Sequence, residues 1–255
     1  MSAQPSAAGA PLLVRYGNFM FRWRNTVFPL VLLALFFAFR PVYPTGDERA
    51  DNIVDVIAFL IALAGQALRV AVIGYAYIIR GGRNQRVYAE DLVTGGFFAH
   101  SRNPLYVGNL LVLFGLFLIH GNPWVIGLGG AFFLLAYRAI IAAEEAYLRS
   151  RFGAAYDEYT RDVPRWLPRP RGLRESLADM RFNWRRVVLK EYTSTYVWMG
   201  GALILMAADT LAYHSYESRE TYLTVLWVGV ALLTIGWSAA RYLKKSRRLR
   251  EVRAA

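Results

Sequence analysis

The sequence predicts an all-α membrane protein, a polytopic bundle of about six transmembrane helices with helical segments on the cytoplasmic side. Three observations lead to this fold class. Of the 255 residues, 56% are hydrophobic and only 19% are charged, whereas soluble domains carry about a quarter charged residues. The hydrophobic residues are concentrated in long blocks, as expected for helices that cross a bilayer. Most of the basic residues lie between and after these blocks, where they report membrane topology.

Six hydrophobic blocks account for the predicted spans. They cover roughly residues 25–39, 53–79, 104–119, 124–143, 196–213 and 221–240. Only the turn 120–123, His-Gly-Asn-Pro, separates the third block from the fourth, so these two spans are predicted to form an antiparallel hairpin. Gln66 and Arg69 are polar residues inside the second span. We expect them to pair with a neighbouring helix or to snorkel toward the interface.

The charges of the loops predict the orientation of the chain. Every second connection is rich in arginine and lysine, whereas the two connections between them carry acidic residues. By the positive-inside rule the basic stretches and both termini lie in the cytoplasm. The chain is thereby divided into five parts. They are an N-terminal cytoplasmic segment (1–24), the first two spans (25–87), a core (88–168), an interfacial segment (169–195) and a C-terminal transmembrane hairpin with a basic tail (196–255).

Two cytoplasmic stretches have helical periodicity. Apolar and aromatic residues recur at spacings of three and four over 147–160 and again over 173–188. The second stretch carries four arginines on the rest of its surface, which is typical of an amphipathic helix lying on an anionic leaflet. Packing of this helix on the protein's own cytoplasmic surface is the alternative.

The cysteine and histidine content excludes several kinds of site. The chain has no cysteine, which rules out disulfides, thiolate nucleophiles and zinc–thiolate sites. Its three histidines, His100, His120 and His214, lack the spacing of metal ligands, so we expect no metal site. The net charge of +12 could suggest nucleic acid, but the charges flank hydrophobic blocks and indicate topology instead. We expect membrane lipids as partners and no nucleic acid.

Hydrogen-bonding groups collect at the cytoplasmic end of the third span. Gly95 and Gly96 permit a close approach of the backbone to a ligand. Ser101 or Asn103 can cap the third helix, with Pro104 in its first turn. This distribution favours a site at the boundary between membrane and cytosol over a pathway through the membrane.

The end of the fourth span adds two further clusters. Glu144 and Glu145 are adjacent at a helix C-terminus, where the helix dipole and mutual repulsion disfavour them. Either a cationic ligand or nearby arginines must compensate, the candidates being Arg138, Arg149 and Arg151. Tyr156 and Tyr159 then precede a proline-rich segment over 163–168 that can fold back over the hairpin.

In this order and spacing, the motifs resemble the isoprenylcysteine carboxyl methyltransferase and phospholipid methyltransferase superfamily. In that family Gly-x-(Tyr/Phe)-x-x-x-Arg-His-Pro-x-Tyr-x-Gly precedes and runs along one membrane helix, and a Glu-Glu pair ends the next. Phe-Gly-x-x-Tyr-x-x-Tyr and Val-Pro-Arg segments follow. The matching stretches here are Gly96 to Gly108, Glu144-Glu145, Phe152 to Tyr159 and Val163-Pro164-Arg165. The resemblance covers about residues 88–168, the core defined above.

The resemblance implies an enzyme that binds S-adenosylmethionine at the cytoplasmic edge of the hairpin and methylates a lipophilic substrate from the bilayer. Arg102 and Arg165 match positions that orient the substrate and are the catalytic candidates. Asn103 stands where the family has histidine, and asparagine can hydrogen-bond but cannot act as a base. The implied cofactor contacts are Gly95, Gly96, Phe97, Asn103, Tyr106, Gly108, Glu144, Glu145, Tyr156 and Tyr159.

Several functions remain compatible with the sequence. Among methyl acceptors, a prenylcysteine-like carboxylate competes with the amine of phosphatidylethanolamine and with a small thiol. A sterol-reductase-like membrane oxidoreductase shares a related hairpin but would bind a nicotinamide cofactor. A non-enzymatic membrane protein would use its arginines for anionic lipid. The sequence does not determine the acceptor, the oligomeric state or the role of the hairpin at 196–240.

Overall fold

The computed structural model describes residues 10–42, 48–75, 87–89 and 91–246, and its regular elements in these ranges are helical. Short 3₁₀ turns occur at Gly96–Ala99 and Glu217–Arg219, and a π-helical turn, Val125–Gly129, leads into the fourth helix. The helices are α1 Leu12–Ala38, α2 Glu48–Tyr75, α3 Pro104–His120, α4 Gly130–Phe152, α5 Ala154–Asp162, α6 Leu173–Leu177, α7 Trp184–Tyr213 and α8 Glu220–Lys245.

The predicted all-α bundle is confirmed, and the chain is an integral membrane protein. Within the described residues, five helices are long and apolar enough to cross a membrane. The helix α3 is also apolar but has 17 residues, which corresponds to roughly 26 Å at the usual rise. The last residues of the predicted second span, 76–79, lie outside the described residues. So do the basic residues at 80–86 and 247–255, and the orientation in the membrane stays a prediction.

The helices pack as two pairs with a further hairpin beside them. The helix α1 lies along α4, α2 lies along α3, and α7 contacts α2, α3 and α8. Small residues allow the close contact between α2 and α3. A Cβ atom on Gly108 would lie 2.6 Å from Arg69 Cγ and 2.8 Å from the Gly65 carbonyl oxygen, so only glycine fits there. The two pairs leave a cavity between them.

The connection between α3 and α4 has the expected tight turn. Gly121 adopts a left-handed conformation, with φ of 68°, which glycine adopts without strain. Asn122 Nδ2 donates to the Arg40 carbonyl, and Asn122 Oδ1 accepts from the Trp124 amide, both at 2.9 Å. The hairpin prediction is confirmed at the turn, although each of the two helices packs mainly on a different partner.

The two predicted cytoplasmic helices are interrupted in the structure. The first, over 147–160, breaks at Gly153, whose φ of 53° ends α4 and allows α5 to leave in a new direction. The second, over 173–188, ends after five residues at Leu177, and α7 begins at Trp184. Asn183 caps α7 by accepting a hydrogen bond from the Arg186 amide at 2.9 Å. The prediction of one continuous interfacial helix in the segment 169–195 was therefore wrong. The cap at Asn183 starts a new helix, so the last residues of the predicted helix belong to α7.

The polar residues inside α2 pair with α7, as one of the two expectations stated. Arg69 Nε and Nη2 donate to the Glu191 carboxylate at 2.9 and 2.8 Å, and both side chains are almost fully buried. Gln66 bridges Glu191 and Trp198, with distances of 3.1 and 2.9 Å. These hydrogen bonds between α2 and α7 take the place of the hydrogen bonds to water that the polar groups lack inside the membrane. The alternative expectation, that Arg69 snorkels toward the interface, was wrong.

Candidate active site

A cavity of about 1110 Å³ lies between α1, α3, α4 and α7. Apolar side chains of α1, α3 and α7 line one part of it, including Leu33, Phe36, Phe37, Val112, Leu116, Val197 and Ile204. The other part lies where α3 begins and α4 ends, and its polar lining residues are Arg24, Asn25, Asp91, Arg102, Asn103, Tyr106, Glu144, Glu145, Tyr156 and Tyr159. One continuous space thus joins a charged pocket to an apolar groove.

Glu145 is the centre of an ion-pair cluster in the charged pocket. It is buried near the end of α4 and accepts three hydrogen bonds. Arg102 Nη1 donates to Oε1 at 2.9 Å, and Arg165 donates through Nε at 3.0 Å and through Nη2 at 2.6 Å. Two arginines from outside α4 therefore compensate this carboxylate, rather than the neighbouring arginines expected from the sequence. Of those, Arg149 pairs with Asp157 instead.

Glu144 has a different environment from its neighbour. It is half-buried and lines the cavity. Tyr106, in the first turn of α3, donates its hydroxyl to Glu144 Oε1 at 2.8 Å. The cation Arg24 of α1 lies within electrostatic range of both groups. Glu144 is therefore the member of the acidic pair whose carboxylate faces the cavity without direct ion pairing to Arg102 or Arg165.

The segment 163–169 is fastened to the segment 100–103 by five hydrogen bonds, one of them between His100 Nδ1 and the Arg169 carbonyl at 2.7 Å. The Arg102 amide donates to the Pro164 carbonyl at 2.9 Å, and Asn103 Nδ2 donates to the Arg165 carbonyl at 3.0 Å. Ser101 Oγ donates to the Trp166 carbonyl at 2.8 Å, and the Arg169 amide donates to the His100 carbonyl at 3.0 Å. This closing segment, as expected, folds back over the hairpin and holds Arg165 beside Glu145.

Asn103 occupies the N-cap position of α3, but its side chain makes no capping hydrogen bond. Its amide instead holds the closing segment through the Arg165 carbonyl. An imidazole N–H can make the same donation. Asn103 thus makes a positioning contact that needs no proton transfer.

Tyr156 and Tyr159 of α5 form an aromatic wall of the pocket. Their ring centroids are 6.1 Å apart, and the Tyr159 hydroxyl donates to the Phe98 carbonyl at 2.7 Å. Burial, with a smaller contribution from Glu145, raises the pKa of Tyr156 to about 12. Burial likewise raises the pKa of Tyr159. Both phenols are therefore neutral hydrogen-bond donors at physiological pH.

Comparison with known proteins places this chain in a family. A family model described as phospholipid methyltransferase matches residues 56–155. Protein-S-isoprenylcysteine O-methyltransferase of Schizosaccharomyces pombe is 33% identical over 94 residues, which are 37% of this chain and 39% of that protein. The chain belongs to the isoprenylcysteine carboxyl methyltransferase and phospholipid methyltransferase superfamily. Membership supports a membrane methyltransferase.

Two bacterial relatives of this methyltransferase superfamily member match over longer stretches. Cobalt-zinc-cadmium resistance protein CzcN of Cupriavidus metallidurans is 32% identical over 159 residues, 60% of this chain and 67% of the relative. Nickel-cobalt-cadmium resistance protein NccN of Alcaligenes xylosoxydans xylosoxydans is 27% identical over 195 residues, 76% of this chain and 83% of the relative. No solved structure matches the chain.

The structure brings together seven of the residues that the superfamily motifs singled out. Arg102, Asn103 and Tyr106 of the first motif line the cavity, together with Glu144, Glu145, Tyr156 and Tyr159. Arg165 is not among the described residues that line it, but reaches the pocket through Glu145. Glu145 itself lines the cavity and accepts three hydrogen bonds from the two arginines, and its contact with the cofactor stays a prediction.

Four predicted cofactor contacts lie elsewhere, within the described part of the superfamily core. Gly96, with φ of 60°, allows the Met180 side chain to approach, because a Cβ would lie 2.6 Å from its sulfur. Phe97 packs toward Tyr75, with ring centroids 6.3 Å apart. Gly108 faces α2, and Gly95 has open space around it. These four residues are not among the described residues that line the cavity, and their contact with the cofactor stays a prediction.

The motifs missed other residues that line the pocket. Arg24 had been interpreted only as a topology signal, and Asn25 and Asp91 carried no recognisable pattern. The α7 side chains of the groove, such as Val197 and Ile204, belong to the hairpin that had no assigned role. Their hydrophobicity in a predicted span is indistinguishable from that of lipid-facing residues, so no sequence signal identified them.

Proposed function

We propose that the chain transfers a methyl group from S-adenosylmethionine to a lipophilic substrate that enters from the bilayer. The observation that carries this proposal is the single cavity that joins the charged pocket to the apolar groove. A soluble cofactor and a hydrocarbon chain need opposite environments, and their reacting groups must meet. This cavity offers both environments and a junction between them.

The charged pocket fits the chemistry of that cofactor. S-adenosylmethionine carries a sulfonium, an ammonium and a carboxylate, so a pocket for it needs both anionic and cationic groups. Glu144 offers a carboxylate. Arg24 offers a cation. Arg102 has a buried Nε–H with no acceptor among the described residues, and because an unmet buried donor indicates a missing partner, we assign this donor to the substrate. The rings of Tyr156 and Tyr159 can lie against the adenine or a cation.

In this mechanism the cofactor supplies an electrophilic methyl group, and the protein supplies position and environment. Glu144 holds a cationic group of the cofactor, with Tyr106 fixing its orientation through a hydrogen bond. Glu145 holds the Arg102 guanidinium at the pocket wall. The closing segment and α5 cover the pocket and exclude water, which strengthens these electrostatic contacts.

The apolar groove supports a substrate with a hydrocarbon tail. Phe37 of α1 and Val197 of α7 both line the groove, and they are 86% and 62% exposed on the protein. Such exposure indicates that the groove opens sideways between α1 and α7 toward lipid. The C-terminal hairpin, by this proposal, supplies one wall of the substrate groove.

Among possible acceptors, the pocket favours a carboxylate. Arg102 is a cation on the pocket wall, and a guanidinium orients a carboxylate oxygen toward the methyl group. An amine gains nothing from that cation. Phosphatidylethanolamine stays the second candidate acceptor, because the matching family model is described as phospholipid methyltransferase.

The test measures equilibrium binding of S-adenosylmethionine and NADPH to the purified protein, then identifies the labelled product after incubation with membrane extract and radiolabelled cofactor. We expect S-adenosylmethionine to bind, NADPH not to bind, and the label to appear in a base-labile ester of a lipophilic acid. A labelled amine would select the phospholipid alternative. Binding of NADPH alone would refute the proposal in favour of an oxidoreductase.

We further propose that the site lies at the cytoplasmic face, as the loop charges predict. Reporter fusions after Arg171 and at the C-terminus should be cytoplasmic, and a fusion after Tyr216 should be external. An external reporter at Arg171 would place the site on the opposite face.

A further inference from the structure

Three aspartates meet at the membrane face opposite the candidate active site. Asp51 and Asp55 lie one turn apart near the start of α2, and Asp209 lies near the end of α7. The other ends of these helices meet near the charged pocket, where the Asn183 amide donates to the Gly74 carbonyl at 2.9 Å. The three carboxyl groups place oxygen atoms within 4.8 Å of one another. We call these residues the aspartate cluster.

The aspartate cluster is withdrawn from solvent. Asp51, Asp55 and Asp209 are 6%, 7% and 5% exposed. Carboxylates that are this deeply buried normally accept hydrogen bonds or pair with cations, because desolvation of an unpaired charge is costly. Asp209 is further disfavoured as an anion by its position in the last turns of α7, where the helix dipole is negative.

A second observation points to a ligand at this place. The Oδ1 atoms of Asp55 and Asp209 are both buried, and neither has a hydrogen-bond partner among the described residues. Native proteins rarely leave buried polar atoms unmatched, and a bound ion or water is the usual partner of such atoms. Here two such atoms belong to carboxylates that converge on one point.

We propose that the aspartate cluster binds a divalent cation. A cation placed between the three carboxyl groups would satisfy the two unmatched oxygens and compensate the buried negative charge. The donors are all carboxylate oxygens, the ligand type that Mg²⁺, Ca²⁺ and Mn²⁺ prefer. The expectation that the chain has no metal site rested on its cysteines and histidines alone, and carboxylates on two distant helices escaped it.

The bound cation would fasten the start of α2 to the end of α7. Because α7 supplies one wall of the apolar groove, the same ion would hold that wall in place from the opposite face of the membrane. Binding does not depend on the proposed methyl transfer, since the aspartate cluster contributes no residue to the lining of the cavity among the described residues.

The test uses the full chain, purified in detergent and stripped with a chelator. Mn²⁺ binding is followed by electron paramagnetic resonance, and thermal unfolding is measured with Mn²⁺, Mg²⁺ or Ca²⁺ added. We expect about one Mn²⁺ bound per chain and a higher unfolding temperature with metal. Asp55→Asn and Asp209→Asn should each weaken Mn²⁺ binding by about tenfold or more, because each removes a charged ligand.

The matched control is Glu217→Gln, which removes an exposed carboxylate at the same membrane face. It should bind Mn²⁺ as the wild type does. The proposal is overturned if the wild type binds no Mn²⁺, if both asparagine variants bind it normally, or if the control loses binding equally. Should the variants fail to fold, the stoichiometry and the metal-dependent unfolding temperature of the wild type decide. Measurement of S-adenosylmethionine binding on the same samples separates this outcome from failure of the proposed function.

Discussion

Replacement by glutamine should have different effects at the two adjacent acids, lowering mainly the folding stability at Glu145 and mainly the cofactor affinity at Glu144. Glu145 accepts three charge-assisted hydrogen bonds from Arg102 and Arg165. In Glu145→Gln the Arg102 guanidinium, whose side chain is 14% exposed, stays buried without its counter-ion. Breaking a buried pair in this way costs about 3–5 kcal/mol. Arg165 is 43% exposed and can turn to water, so we expect the lower end, about 3 kcal/mol of folding stability.

Compared with Glu145→Gln, Glu144→Gln should lower folding stability less and cofactor affinity more. Only the neutral hydroxyl of Tyr106 donates to Glu144 among the bonds described above, so its loss should cost about 1 kcal/mol of stability. If Glu144 faces the cationic cofactor, the affinity for S-adenosylmethionine should fall by about 1–3 kcal/mol, which is roughly five- to 150-fold.

The assay combines thermal unfolding in detergent with equilibrium binding of S-adenosylmethionine. Glu158→Gln serves as the control, since Glu158 is an exposed acid on α5 near the same pocket. The reasoning is refuted if Glu145→Gln unfolds at the wild-type temperature, or if Glu144→Gln keeps full affinity for the cofactor. Loss of stability in Glu144→Gln alone would also contradict it, because the structure places the arginine clamp on Glu145.

Three other substitutions test the remaining parts of the site. Asn103→His should keep activity near wild type, because imidazole can donate to the Arg165 carbonyl. Asn103→Leu cannot make this hydrogen bond and should reduce turnover about tenfold. Equal activity of the two variants in a methyl-transfer assay would show that the hydrogen bond is dispensable. Arg102→Lys should keep cofactor affinity but lower turnover at least about tenfold. Arg165→Lys should lower turnover less, because only Arg102 of the two lines the cavity. Wild-type kinetics of Arg102→Lys would reassign that residue to lipid binding. Gly201→Leu projects a side chain into open space along the groove. It should raise KM for long-chain substrates without changing cofactor affinity, and an unchanged KM would place the tail elsewhere.

Local patterns predicted most of the fold and part of the site. The spans were predictable because hydrophobicity over about 20 residues reports membrane insertion directly. The boundaries were less predictable. Gly153 and Asn183 interrupt the two cytoplasmic patterns, and periodicity does not register a single left-handed glycine or a capping side chain.

Residue chemistry identified the pocket but not the ion pairs within it. The motifs led to Arg102, Tyr106 and Glu144, which the structure brings into one cavity. They also led to Glu145, which lines the same cavity, but they did not indicate that Arg165, twenty residues further along the chain, pairs with it. A spacing of residues shows that two side chains can share a site, but does not show which of them pair with each other.

What the sequence alone determined, then, is the membrane character, the helical class and the superfamily motifs, which place the candidate site at one end of the α3–α4 hairpin. These features depend on composition and on neighbours a few residues apart. Only the tertiary structure decided that α7 forms a wall of the groove, that Arg69 pairs with Glu191, and that Asp209 meets the aspartates of α2. The partners in these contacts are more than 100 residues apart or on separate helices. Their meeting depends on how the helices pack, and the same sequence pattern is compatible with many packings.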